Sequence, residues 1–174
     1  MVPTLAAISR LRRSLRITAL LFIASVALAA SGWADNTPEE RATLRGIKAV
    51  KLVVWGLHPD VEADGLTAGQ LRSDVEERLR KAGIGMSQSA KAFLNVTVNT
   101  SGRVEGRYFC VVEVNLTQQV ALVRDRKTIL LLATWRIGNF GGVGASDLRR
   151  YVRGTVADQV EMFIRAYRVQ NPKP

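Results

Sequence analysis

The residues best placed to do chemistry fall in two segments. His58, Asp60, Glu62 and Asp64 alternate along a short stretch that ends at Gly65, and carboxylates spaced in this way can converge on a divalent cation. A calcium loop of the EF-hand kind needs Asp or Asn where this chain has Glu62, and a glutamate six residues past the glycine where it has Leu71. A solvated turn is therefore the favoured reading, and no metal is expected. The second segment is Gly138-Asn139-Phe140-Gly141-Gly142-Val143-Gly144, which precedes a helix-like stretch. The amides of Gly141, Gly142 and Gly144, with a helix N-terminus behind them, form a candidate anion-binding loop. The segment lacks the Gly-Lys-Ser/Thr ending of a P-loop, and Asp147 follows where a dinucleotide fingerprint wants a third glycine. The competing reading is a flexible loop that lets the last helix fold back over a sheet.

Nucleophilic catalysis is hard to assemble from this chain. It has one histidine, His58, one cysteine, Cys110, and no Gly-x-Ser-x-Gly elbow. Cys110 sits in Tyr108-Phe109-Cys110-Val111-Val112, which reads as a small apolar core residue of a strand rather than a reactive thiol. Glu105 and Glu113 are the carboxylate pair that glycosidic chemistry would call on, but they fall at a hairpin and an outward strand position. No catalytic residue is assigned, no cofactor is expected, and the chain is read as not an enzyme. The aromatic residues are the better candidates for a working surface. Trp55, Trp135, Phe93 and Phe109 lie on strand-like stretches. They form either a minor hydrophobic cluster or a partly exposed face that docks another protein or a second copy. Arg149, Arg150 and Arg153 offer a third possibility, contact with an anionic surface, against the plainer reading of a solvated helix face.

The elements that must position these residues follow from periodicity. Ile47 to Leu57 alternates, with Val50, Leu52 and Val54 on one face and Lys51, Val53 and Trp55 on the other. Thr67 with Gln70 three residues later predicts a capped helix, on which Leu71, Val75 and Leu79 form the buried stripe and which Gly83 ends. Phe93 to Asn99 is a strand with Leu94, Val96 and Val98 inward. Ser101 to Gly106 makes a hairpin loop, and Arg107 to Val123 a long strand with Cys110, Val112, Val114 and Leu116 sharing a face. Arg124 to Lys127 turns the chain into a strand over Thr128 to Gly138. A last helix starts near Ser146 or Asp147, striped by Leu148, Val152, Val156, Val160, Phe163 and Tyr167 and stopped by Pro172. The expected fold is α+β, a four-stranded mostly antiparallel sheet with two helices packed on one face, in the order strand, helix, three strands, helix.

The beginning of the chain reads as an export signal. Arg10, Arg12, Arg13 and Arg16 precede an apolar run from Ile17 to Ala30, and Ala27-Leu28-Ala29 supplies a small-residue cleavage site near Ala29 or Ala30. A membrane anchor is the alternative, but a spanning helix wants roughly 20 apolar residues and this run is shorter. Arg16 stands where a twin-arginine signal wants an apolar residue. Residues 1–30 are thus read as a signal peptide, 31–46 as a flexible leader and 47–170 as a single domain. That places the protein in the periplasm or outside the cell, with no stable membrane insertion once the signal is removed. Removing the four signal arginines lowers the formal charge of +10 to +6, a moderate excess that suits anionic envelope surfaces. Nucleic acid is excluded as a partner by compartment and by the lack of a recognition module. Three glycosylation sequons, at Asn95, Asn99 and Asn115, carry no weight in a chain of bacterial composition.

Leu44-Arg45-Gly46-Ile47 through Trp55, then Pro59, Gly65-Leu66 and the closing Asn171-Pro172, resemble short exported bacterial proteins of unknown function. The element order is also similar to the amino-terminal domain of TolB and to the penicillin-binding-protein activator lipoproteins. The chain departs from the lipoproteins in having no cysteine near its cleavage region. The resemblance implies protein–protein contact in the cell envelope, with an envelope protein or with itself, and no catalysis. The leading expectation is a non-enzymatic periplasmic binding or accessory protein; the alternative is a small hydrolase or metal-binding protein using the His58–Asp64 and Gly138–Gly144 segments.

Overall fold

The computed structural model describes residues 36–172; the expected signal peptide and its cleavage site lie outside the described residues. The described residues belong to one compact unit. In chain order its elements are α1 (Pro38–Ala42), β1 (Ala49–Val54), α2 (Pro59–Ala63), α3 (Ala68–Ala82), β2 (Gly85–Met86), β3 (Phe93–Thr100), β4 (Arg107–Ala121), β5 (Ile129–Gly144), a 3-10 turn (Ala145–Asp147) and α4 (Leu148–Gln170). The strands form one sheet in the order β2-β1-β3-β4-β5. β1 runs parallel to both β2 and β3, whereas β3, β4 and β5 are antiparallel neighbours.

The two long helices form where the sequence places their caps and stripes. The Thr67 hydroxyl accepts from the Gln70 amide, and the Gln70 side chain accepts from the Thr67 amide, so two orphan donors of α3 are satisfied. Gly83 ends the helix with φ of 74°, in the left-handed region where a Cβ is costly. Leu71, Val75 and Leu79 of α3 are wholly buried, as are Leu148, Val152, Val160 and Phe163 of α4. They cover one face of the sheet, against Leu94, Val96, Tyr108, Cys110, Val112, Val114, Leu116 and Trp135.

Four expectations are corrected. The sheet has five strands rather than four, because β2 pairs through two residues, Gly85 and Met86, too few to show a period. α1 and α2, five residues each, escape periodicity for the same reason. Residues 31–46 are not all a flexible leader. Thr37 and Glu40 form a capping box on α1, Leu44 is fully buried, and Asn171 ties this segment to the end of α4 through Leu44 O and the Gly46 amide. Finally, Gly138–Gly144 is the second half of β5, paired residue by residue with Arg107–Glu113, and not a loop.

Candidate functional site

Both long helices lie on one side, so the other face of the sheet has no covering element among the described residues. Alternation along β1, β3, β4 and β5 puts Trp55, Phe93, Phe109, Val111 and Phe140 on that open face. Trp55, Phe109 and Phe140 each expose 53–63% of their surface. Register explains their grouping. Asn99 of β3 pairs with Val111, which pairs with Phe140, and Phe109 in the next row pairs with Gly142. The Phe109 ring lies over Gly142, at ordinary contact distance from where a Cβ would stand, and it stacks on Phe140 at a centroid distance of 6.3 Å and an interplanar angle of 4°. Trp55 donates its amide to Val96 O, which sets its side chain in the row beside Thr97, Glu113 and Gly138.

The middle of the open face is polar and internally satisfied. Asn95 Nδ2 donates to Asn115 Oδ1 and Thr117 Oγ1, both at 2.9 Å, and Asn115 Nδ2 donates to Glu113 Oε1 at 2.7 Å. Phe93 flanks this network, half-buried, with the Lys51 ammonium 5.9 Å from its ring centre. An exposed aromatic pair, Phe109 and Phe140, beside a bonded polar network suits a surface that adheres to another protein.

Trp135 does not belong to this face, which corrects its assignment as a docking residue. A bulge between Leu116 and Thr117 shifts the pairing, and Trp135 points to the helix side with no exposed surface. There it meets Phe163 edge-on at 5.3 Å and donates its indole N–H to Asn36 Oδ1. Gly141, Gly142 and Gly144 are likewise corrected as an anion-binding loop, because their backbone belongs to the β4–β5 ladder. Gly141 has a packing role: a Cβ there would overlap the Tyr151 hydroxyl. Phe140 and Val111 were missed by sequence reading. The period-2 signal for Phe140 was hidden by the surrounding glycines, whereas the alternation through Glu113 could have found Val111.

The acidic segment is committed elsewhere. His58 caps α2, its Nδ1 accepting from the Asp60 amide. Asp64 accepts from the Tyr108 hydroxyl at 2.7 Å and from Arg103 at 3.3 Å. Burial, followed by this bond to Asp64, pushes the Tyr108 phenol from 10.0 up to about 12. The segment lies at the same end of the sheet as Gly144, since Tyr108 bonds Asp64 while its main chain pairs with Val143. No group of three or more potential metal-ligating His, Cys, Asp or Glu occurs among the described residues.

A concavity of about 730 Å³ lies between α3 and α4, with Arg78, Lys81, Arg149, Arg150, Arg153 and Arg168 on its walls beside Asp74, Glu77 and Glu161. Much of this basic charge is already paired. Arg153 forks onto Asp74 at 2.7 and 2.9 Å, Arg78 reaches Glu161, Lys81 reaches Glu77 and Arg150 reaches Asp147. No described helix is long and apolar enough to cross a membrane.

No protein-family model matches this chain, and no curated protein matches it. Among solved structures it is similar to a point variant of the PelC dodecamer from Paraburkholderia phytofirmans, at 16% identity and a TM-score of 0.39, over 74% of this chain and 90% of that one. It is also similar to a minor lipoprotein from Acinetobacter baumannii, at 12% identity and a TM-score of 0.37, over 75% of this chain and 99% of that one. Similarity at this level does not extend to function or assembly. No link to the amino-terminal domain of TolB is shown.

Proposed function

We propose that this chain is a non-enzymatic accessory protein of the bacterial cell envelope, periplasmic or secreted, that docks a protein partner on the open face of its sheet. The observation that supports this reading is the stacked Phe109 and Phe140 with Val111 beside them, and Trp55 farther along, all exposed on a face that no described element covers. Large side chains held on a rigid sheet lose little entropy when a partner buries them, which is why such anchors dominate interface energy. The export reading rests on the basic and apolar order of residues 10–30. The non-enzymatic reading rests on the engagement of the titratable groups in structural bonds, Asp64 with Tyr108 and Arg103 above all.

The test is site-specific photo-crosslinking in living cells of the native host. A photoreactive residue replacing Phe140 is expected to yield one dominant adduct. The same residue replacing Arg80, on the outer side of α3, is expected to yield none. Val111→Lys is expected to abolish the Phe140 adduct while the protein still accumulates. Equal labelling from both positions, or no adduct from Phe140, overturns the reading.

A further inference from the structure

A different surface is incomplete in its backbone. β5 is the last strand of the sheet, so one side of it has no strand neighbour among the described residues. Beyond the bulge, β4 and β5 continue as a two-stranded ribbon through the pairs Thr117–Ala133 to Ala121–Ile129, past the point where β3 begins at Phe93. The bond from the Leu122 amide to Thr128 O sets the phase of this ladder. Antiparallel partners alternate between bonded and non-bonded pairs, so Thr128, Leu130 and Leu132 turn their main-chain groups toward β4. Those of Ile129, Leu131 and Ala133 turn outward, and no partner for them occurs among the described residues. The free stretch ends at Thr134, whose carbonyl accepts from the Thr43 hydroxyl at 3.1 Å.

The side chains of this stretch are apolar on both sides of the ribbon. Ile129 and Leu131 face one way, Leu130 and Leu132 the other, and all four are 38–56% exposed. A long apolar edge with unpaired main-chain groups is a template for another strand.

We propose that this edge pairs with the same edge of a second copy, antiparallel about a two-fold axis at Leu131. The register is self-complementary. Leu131 opposes the partner copy's own Leu131, and Ile129 opposes Ala133 in both directions, so every outward N–H and C=O of the three residues finds a partner. Leu130 then lies across from Leu132 on one side, and the two Leu131 side chains meet on the other. Sliding the partner by a single residue, which puts the axis between two residues, would oppose outward groups with inward-turned ones and lose these bonds. Charge is consistent with the pairing. The ribbon tip carries Arg124, Arg126 and Lys127 against Asp125. In this register each tip meets α1 of the other copy, where Glu39 and Glu40 outnumber Arg41. The result is one continuous sheet across both copies, with the aromatic docking faces left free. It does not rest on the docking reading, and either can fail alone.

Sedimentation of the 32–174 domain over a range of concentrations tests this, with three variants. The domain is expected to form a dimer. Leu131→Pro removes only an outward donor and leaves the β4 ladder intact, so it is expected to stay folded by circular dichroism and to lose the dimer. Ile129→Cys is expected to form a disulfide when mixed with Ala133→Cys and not with itself; Cys110 is buried and does not interfere. A domain that is monomeric at every concentration overturns the proposal, whether or not it sediments with anionic vesicles. So does a dimer that survives Leu131→Pro, or self-crosslinking of Ile129→Cys.

Discussion

Tyr108 ties α2 to the sheet through its hydroxyl, which bonds Asp64 and Asp60 O, and a bond to a charged acceptor of this kind is worth about 1.5–3 kcal/mol. Tyr108→Phe is therefore expected to destabilise the domain at neutral pH by that order, measured by chemical denaturation. The pH dependence has a definite sign. A phenol raised in the folded state to about 12 from 10.0 contributes stability that is complete below pH 10 and lost as pH rises toward 12. The wild-type protein should weaken across that window, and the Phe variant should lack this component. Cys110 is the simpler case. Burial pushes its thiol up and no surface is exposed, so thiol reagents are expected to label it only after denaturation.

At the scale of elements, β5 carries the greatest burden. Its first half is apolar with no cover among the described residues and its second half is rich in glycine, yet both belong to one strand because β4 pairs with it on both sides of the bulge. Glycine is a poor strand former, and at Gly141 a neighbouring ring occupies the space it leaves. Tyr151 of α4 sits where a Gly141 side chain would project. Gly141→Ala is expected to cost about 1–3 kcal/mol through overpacking, and Tyr151→Phe is expected to restore much of that loss in the double variant. Unfolding free energies of the four members of this cycle measure the coupling.

For the molecule as a whole, a core closed on one side of the sheet is enough to hold the domain. Its single cysteine leaves no internal disulfide to form. Thermal unfolding of the 32–174 domain is expected to be one cooperative transition, with a midpoint unaffected by reductant. The open face is a separate matter, because exposed residues there do little for the core. Phe140→Lys is expected to change stability by no more than about 0.5 kcal/mol while removing partner binding, a separation that denaturation and crosslinking together would display.

Local order along the chain already determines much of this. Stripes at helical spacing mark α3 and α4, alternation marks β1, β3 and the first half of β4, and Thr67 with Gln70 marks a helix start, because each signal lies within a few bonds of its effect. Trp55, Phe93 and Phe109 were legible as strand aromatics for the same reason. Tertiary structure decided the rest. A two-residue strand has no period to read, so β2 and its parallel pairing with β1 appear only when α3 has crossed the sheet. A bulge at Leu116 and Thr117 sends Trp135 into the core, since one extra residue reverses the face of every side chain beyond it. The glycines of β5 read as a loop until β4 is set beside them. Which face lies open depends on both long helices choosing the same side, a choice made by packing between residues far apart in the chain.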